Sequence, residues 1–509
     1  MACEAPASAF WLSTSSLPMI ARARAFIDDE PVLAALLFSV GVSLARYGHL
    51  AIIQTDLGAD EAQYWFWSQE LSWGYYSKPP MIAWLIGLST SLLGDTEIGV
   101  RALSPLLLAG TGFALFAAGR QLFGDKAGLS ALLFWHFMPA VVLGGTLMST
   151  DIPLLFFWSI SLWVLIKLIE APRSEKNPWA LALGAALAAA FLSKYAAIYF
   201  PIGLALAAMS SSYVRRGLTI GSLLLATSLF AVLIAPHLRW NMANGFQTVK
   251  HTADNASWSG VTLQFDELGD FLVAQLAVLG PILFIVLVIG AVRYRFRADP
   301  KEAFLLSMVL PPFLIICGQA LLSRAHANWA IAAYPAALVL LPLWILRMKI
   351  ERWALPSTII LHGMAWVCFI SITTDFSRAD ALGLSSALHR ERAWGETADL
   401  IRPHLIGKDG LILDDREIAA HLIWEFRHDD IDIEVYDNNH RPANTFEITL
   451  PFSPQEGRSR LLVTKVRGRA ITTYTSMYPW EELGSIYIDL GTERHGLPER
   501  TLDLYAVNR

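Results

Sequence analysis

Residues 60–84 read DEAQYWFWSQELSWGYYSKPPMIAW. An adjacent carboxylate pair, Asp60 and Glu61, is followed by a run of aromatic side chains and then by Lys78 set against Pro79-Pro80. On a helix starting near Asp60, Tyr64 and Trp67 follow at i+4 and i+7 and share its face. Trp and Tyr collect at lipid interfaces, so an aromatic belt accounts for most of the rings. It does not account for two carboxylates beside an apolar bilayer, which are costly there unless solvated or paired. The Pro-Pro pair fixes the backbone and starts a new helix. A lysine mounted so rigidly behind a carboxylate pair suits the grip of a phosphate.

The chain around this stretch is built for lipid. Of 509 residues, 54% are hydrophobic and 16% charged, with a mean hydropathy of +0.44. That exceeds what a soluble domain carries. Apolar runs of about 20 residues, enough to cross a bilayer, fall at 31–54, 98–119, 127–148, 152–169, 217–236, 268–291, 302–322, 327–346 and 353–374. Residues 179–210 hold two short spans bent at Ser193-Lys194-Tyr195, which brings the expectation to eleven. Residues 375–509 carry 16 of the 39 Lys and Arg and read as a separate soluble domain. Its apparent strands GLILDD, IDIEVYD, RLLVTKV, SIYIDLG and TLDLYAV, with a helix around Glu417 to Arg427, predict a small α/β fold. Asp414 to Glu417 read as a strand end and helix start, with no chemistry assigned to them.

Pro79 to Gly94 is either another span or a helix in the membrane plane, and the choice inverts every later loop. With that segment in-plane and the N-terminus cytoplasmic, sixteen Lys and Arg of residues 1–374 face the cytoplasm and seven face outward. A span there reverses the ratio, so the positive-inside rule selects the in-plane reading. The domain at 375–509 then lies outside the cytoplasm. Residues 1–30 have no apolar core ahead of Arg22 and Arg24 and no small-residue cleavage site. They predict a cytoplasmic segment before an uncleaved anchor. Three cysteines without metal spacing, Cys3, Cys317 and Cys368, support neither a disulfide framework nor a zinc site. A net charge of -5 gives no sign of a nucleic-acid partner.

Polar side chains gather on the outer face. Arg46 sits a turn or two below it, either snorkelling or facing an internal cavity. Asp151, in STDIPL at 149–154, is a good N-cap before a proline. Lys194 and Tyr195 occupy the bend between two short spans. His237, Arg239 and Trp240 cluster where a span emerges, and Arg324, His326 and Asn328 flank another. A basic, aromatic-bearing interface suits an anionic lipid headgroup, and Arg324 offers bidentate bonds to phosphate.

The acidic pair in the first outer loop, KPPMIAW at 78–84, STDIPL and LSKY at 192–195, taken in that order, resemble the membrane glycosyltransferases that use polyprenyl-phosphate sugars. These include the lipid A aminoarabinose transferases, the rhizobial lipid A galacturonosyltransferases and the dolichyl-phosphate-mannose protein mannosyltransferases. Where that family often has Lys followed by Gly, this chain has Lys194-Tyr195. The resemblance covers residues 31–374 and implies a polytopic α-helical protein of GT-C type, with about eleven spans, in-plane juxtamembrane helices and the small C-terminal α/β domain. It implies a bacterial inner-membrane enzyme that moves a sugar from a polyprenyl-phosphate donor to a glycolipid or glycan, such as lipid A or lipopolysaccharide core, at the periplasmic face.

In that scheme Asp60 is the base and Glu61 supports it. Lys78, Lys194, Arg324 and Arg239 receive the departing phosphate, while Asp151, Tyr64, Tyr195, His326 and Arg46 line or support the cavity. Attack opposite the phosphate inverts the sugar carbon. Lys and Arg can carry the charge without a cofactor, although Asp60, Glu61 and Asp151 leave room for a divalent cation. A secondary transporter or lipid-linked-sugar translocase is the rival class, yet such proteins place coupling charges at midplane in repeated halves, and no internal repeat is visible here.

Overall fold

The structure is a computed structural model that describes residues 19–254, 263–294, 299–437, 442–453, 457–465, 479–490 and 500–508. Of the expected cytoplasmic segment 1–30, residues 1–18 and with them Cys3 lie outside the described residues. Among the described residues, seven helices are long and apolar enough to cross a bilayer. The count is eight if the bent pair Phe265–Val278 and Pro281–Tyr294 forms one span.

The difference from eleven lies in segments that the chain breaks. The run at 268–291 was expected as one straight span, but it turns by 118° between its two helices. Gly280 adopts φ +97 there and Pro281 starts the next helix, so the bend sits where a left-handed residue and a missing N–H coincide. The run at 127–148 divides into Asp125–Phe137 and Pro139–Gly144. Met138, forced out of the α region by the following proline, takes φ -58, ψ 127. At 179–210 the break falls at the expected place. The helix Lys176–Ser193 ends at Lys194, which is extended at φ -160, ψ 137, before the helical turn Tyr195–Ile198 and the helix Tyr199–Ser210.

The bundle is held by small residues and by one helix that is apolar on all sides. Gly119 on Leu103–Phe123 faces Gly128 on Asp125–Phe137, and a Cβ on Gly128 would lie 2.6 Å from the Phe116 carbonyl oxygen. Such glycines let helix backbones touch where lipid gives no hydrophobic drive for packing. Tyr334–Arg347 runs through the centre with Leu338 to Leu341 and Trp344 fully buried, as expected for a helix without a polar face.

Past the helix Glu351–Thr374, the C-terminal part forms a five-stranded sheet. Its strands are β1 (Gly410–Leu413), β2 (Asp432–Val435), β3 (Ser459–Thr464), β4 (Trp480–Ile488) and β5 (Arg500–Asn508), in the order β2-β1-β3-β5-β4. β1 is parallel to β2 and β3, and β5 is antiparallel to β3 and β4. The helix Arg416–Glu425 crosses from β1 to β2, and β1, flanked by two parallel neighbours, is buried throughout, the usual state of a covered parallel strand.

This domain packs on the helix Ala59–Ser68, which changes the reading of the aromatics at residues 64–67. Tyr64, Trp65 and Trp67 are buried rather than arrayed toward lipid. Trp65 meets Trp424 edge-on at 4.9 Å. The Trp67 indole N–H donates to Thr445 Oγ1 at 2.9 Å, and its ring stacks on Tyr75 at 4.8 Å. A ring with one polar atom can fill a core and still direct a hydrogen bond.

Candidate active site

The helix Ala59–Ser68 starts at Gly58, whose N–H donates to Glu61 Oε2 at 3.0 Å, half of a capping box. Asp60, Gln63 and Tyr64 then turn toward a polar cavity of about 490 Å³. Lys78 enters it from the Lys-Pro-Pro turn, Asp151 from the start of the helix Asp151–Glu170, Lys194 from the break, Arg324 and His326 from the loop after Pro300–Leu322, and Asn328 from the start of the short helix Ala327–Ala333. Arg416 closes it from the C-terminal sheet region.

Both cavity carboxylates are engaged. Lys194 Nζ lies 2.6 Å from Asp151 Oδ1, and Asn328 donates to Asp151 Oδ2 at 2.8 Å. The N-cap position falls on Thr150 and Asp151 is the first helical residue, so its carboxylate is spent on Lys194 and Asn328 and not on capping its own helix. Asp60 pairs with Arg416, whose Nε donates to Gln63 Oε1 at 2.8 Å. Among the described residues, Lys78 and Arg324 have no carboxylate partner, so cationic charge is in surplus. Burial, with Lys194 and Arg416 also nearby, holds the Lys78 ammonium below the ordinary lysine range, outweighing the opposing pull of Asp60 and Asp151. Burial likewise lowers His251, with Lys78 and Arg416 adding to it, and pushes the Tyr64 phenol well up.

An apolar groove of about 480 Å³ adjoins the cavity. Ser77, Lys78, Lys194 and Trp329 line both spaces, and Ile198, Tyr199, Ile315 and Leu322 continue the groove. Tyr195 lines it too, and its hydroxyl lies 2.8 Å from His237 Nε2. His237 in turn contacts the Trp73 carbonyl at 2.5 Å through Nδ1. That chain ties the break at Lys194 to the segment that carries Trp73, just ahead of Lys78.

A lipid A galacturonosyltransferase of Rhizobium johnstonii is 33% identical to this chain over 402 residues, which is 77% of this chain and 83% of the relative. The chain belongs to the lipid A galacturonosyltransferase family. It is a membrane glycosyltransferase of GT-C type that uses lipid-linked sugars. A lipopolysaccharide core galacturonosyltransferase of the same organism is 26% identical over 44% of each chain. A sequence profile of dolichyl-phosphate-mannose-protein mannosyltransferases matches residues 77–240. Among solved structures, ArnT from Cupriavidus metallidurans in the apo state superposes with a TM-score of 0.63 at 14% identity, over 94% of this chain and 98% of that one. The same protein bound to undecaprenyl phosphate also scores 0.63, over 92% and 97%.

In this glycosyltransferase three of the side chains expected at the site lie elsewhere. Glu61 is turned away from the cavity into a buried pair with Arg101, which donates from Nε at 3.0 Å and from Nη2 at 2.9 Å. A capping box and a buried arginine claim it before substrate could. Asp60, Glu61 and Asp151 therefore do not converge, and among the described residues no group of three or more His, Cys, Asp or Glu is placed to hold a metal. Arg46 neither snorkels nor lines a cavity. It is buried between helices, with Nη1 3.3 Å from His136 Nδ1 and the guanidinium 5.6 Å from the Trp366 ring centre. Arg239 is exposed on the outside of Ile220–Ala243 and lines neither space; at this point of the turn it faces away from the buried His237 and Asn241.

Sequence reasoning missed Arg416 and Arg101. Arg416 left one trace, a cation in the first turn of a helix, where the macrodipole disfavours it. Such a placement points to a partner outside the helix.

The lowered Lys78 pKa gives a pH prediction. The charged form binds phosphate, and a depressed pKa means that this form is lost at a lower pH than for a free lysine. The alkaline fall of kcat/KM, which reports the free enzyme, is expected below the ordinary lysine range in wild type. Lys78→Arg should move that limb upward. A pH–rate profile for both proteins checks it, and coincident limbs would remove Lys78 from the titration.

Proposed function

We propose that this enzyme transfers a sugar from a polyprenyl-phosphate donor to an envelope glycolipid or glycan at the periplasmic face of the bacterial inner membrane. The observation that carries the reading is the continuity of an apolar groove with a cation-rich polar cavity, joined at Lys78 and Lys194. A polyprenyl tail fits the first, and a sugar phosphate fits the second. The 33%-identical relative supports galacturonic acid as the sugar and lipid A as the acceptor, and the bound ArnT supports undecaprenyl phosphate as the lipid.

In the reaction, an acceptor hydroxyl attacks the anomeric carbon and its proton passes to Asp60. The bond from that carbon to the phosphate oxygen breaks on the opposite side, inverting the centre. Lys78, Lys194 and Arg324 take up the charge that grows on the leaving phosphate. Asp151 and Asn328 hold Lys194 in place, and Tyr64 and His326 shape the walls. The positive-inside ratio supports a cytoplasmic N-terminus, the helix Met81–Leu93 in the membrane plane and a periplasmic domain from residue 375 onward.

Purified enzyme in vesicles with undecaprenyl-phosphate galacturonic acid and lipid A should release undecaprenyl phosphate and yield lipid A heavier by one hexuronate, read by mass spectrometry. Failure with every lipid-linked sugar offered, while the protein remains folded, would overturn the reading.

A further inference from the structure

We infer that Arg416 is the residue that reads a carboxylate on the donor sugar, and that the sugar takes it from Asp60. This rests on the sugar-transfer reading above and adds to it the residue that selects the sugar by its carboxylate and the contact that residue gives up to do so.

Arg416 opens the helix Arg416–Glu425, whose N-cap Asp415 accepts from Glu417 and Ile418 N–H at 2.9 and 3.1 Å. Its helix is thus fixed, and the guanidinium is steadied through Nε by Gln63 Oε1 at 2.8 Å. Nη2 reaches Asp60, and among the described residues Nη1 makes no hydrogen bond. One edge of the fork is therefore half used, on a side chain that lines the cavity. The Asp60 and Arg416 side chains are 63% and 41% exposed, and ion pairs this open contribute little, about 0–1 kcal/mol. A carboxylate that meets Nη1 and Nη2 together is a better partner than one oxygen of Asp60.

Charge balance points the same way. Lys78, Lys194, Arg324 and Arg416 face two carboxylates, Asp60 and Asp151, across this cavity. A donor phosphodiester supplies one further negative charge, and a uronic acid supplies the second that neutralises the set. A neutral hexose leaves Arg416 on Asp60, with one of the two carboxylate oxygens, Oδ1, still occupied. A hexuronate removes Arg416 and frees that oxygen, so recognition of the right sugar also readies the base.

The test compares undecaprenyl-phosphate galacturonic acid with undecaprenyl-phosphate galactose, which differ only in the carboxylate. In wild type, kcat/KM should favour the uronosyl donor. Arg416→Met should lower that preference about 10- to 100-fold, the range for a hydrogen-bonded charge pair, and Arg416→Lys should fall between. Because Asp60 competes for Arg416, Asp60→Asn should bind the uronosyl donor several-fold more tightly than wild type. Asp60→Asn combined with Arg416→Met should lose that gain. The binding measurement needs no turnover, and a residue that only braces the fold would not produce it. An unchanged preference in Arg416→Met, or no gain in Asp60→Asn, overturns the inference while sugar transfer stands. Wild type inert toward both donors overturns the transfer reading, and the inference with it.

Discussion

Asp60→Asn is expected to lower kcat about 10²–10⁴-fold, the usual range for removing a positioned proton acceptor. The enzyme should stay folded. The Asp60 side chain is 63% exposed and its pair with Arg416 is open to the cavity, so its loss costs at most about 1 kcal/mol of stability. Single-turnover transfer with saturating donor, alongside thermal unfolding in detergent, separates the two effects. The rival acceptor is Asp151, but both of its oxygens are already taken, one by Lys194 at 2.6 Å and the other by Asn328 at 2.8 Å. Asp151→Asn should instead loosen Lys194 and weaken donor binding. If Asp60→Asn turned over like wild type and Asp151→Asn did not, the proton would go to Asp151.

What the sequence made legible is what local chemistry controls. Lys78 was visible because Pro79 and Pro80 leave its backbone little freedom. Lys194 was visible because a lysine interrupts two apolar halves too short to cross alone, and the helix does end there. The sheet at 410–508 followed from short apolar runs between turns. What stayed hidden depends on contacts made far along the chain. Arg416 meets Asp60 from 356 residues away, and nothing in DDREI names that partner. Gly280 bends an uninterrupted apolar run, which hydropathy alone reads as a straight span. The aromatics of residues 64–67 fit a lipid interface and a protein interface equally well by composition. Only the placement of Trp424, Thr445 and Phe446 over them decides it.

Arg101→Leu is expected to destabilise the protein by about 3–5 kcal/mol, the range for stranding one member of a buried ion pair. The Arg101 and Glu61 side chains are 1% and 5% exposed, so solvent cannot replace the lost partner. Arg101 also donates to the Thr55 and Asp56 carbonyls at 3.2 and 2.8 Å, and those bonds go with it. Glu61 is the more consequential loss, because it holds two parts of the site at once. Its Oε2 accepts from Gly58 at the start of the helix that carries Asp60, and its Oε1 accepts from Met148 N–H at 2.9 Å, three residues before Asp151. One carboxylate therefore sets the spacing between the two cavity acids, and Arg101 fixes that carboxylate. The variant should show a lowered unfolding temperature together with a fall in kcat, although Arg101 touches no substrate. Glu61→Gln added to Arg101→Leu removes the stranded charge and should recover part of the stability. It should recover less of the turnover, since an amide oxygen can accept only on one side and cannot serve both Gly58 and Met148. Stability and kcat restored in equal measure would mean that Glu61 contributes charge alone, without aligning Asp60 against Asp151.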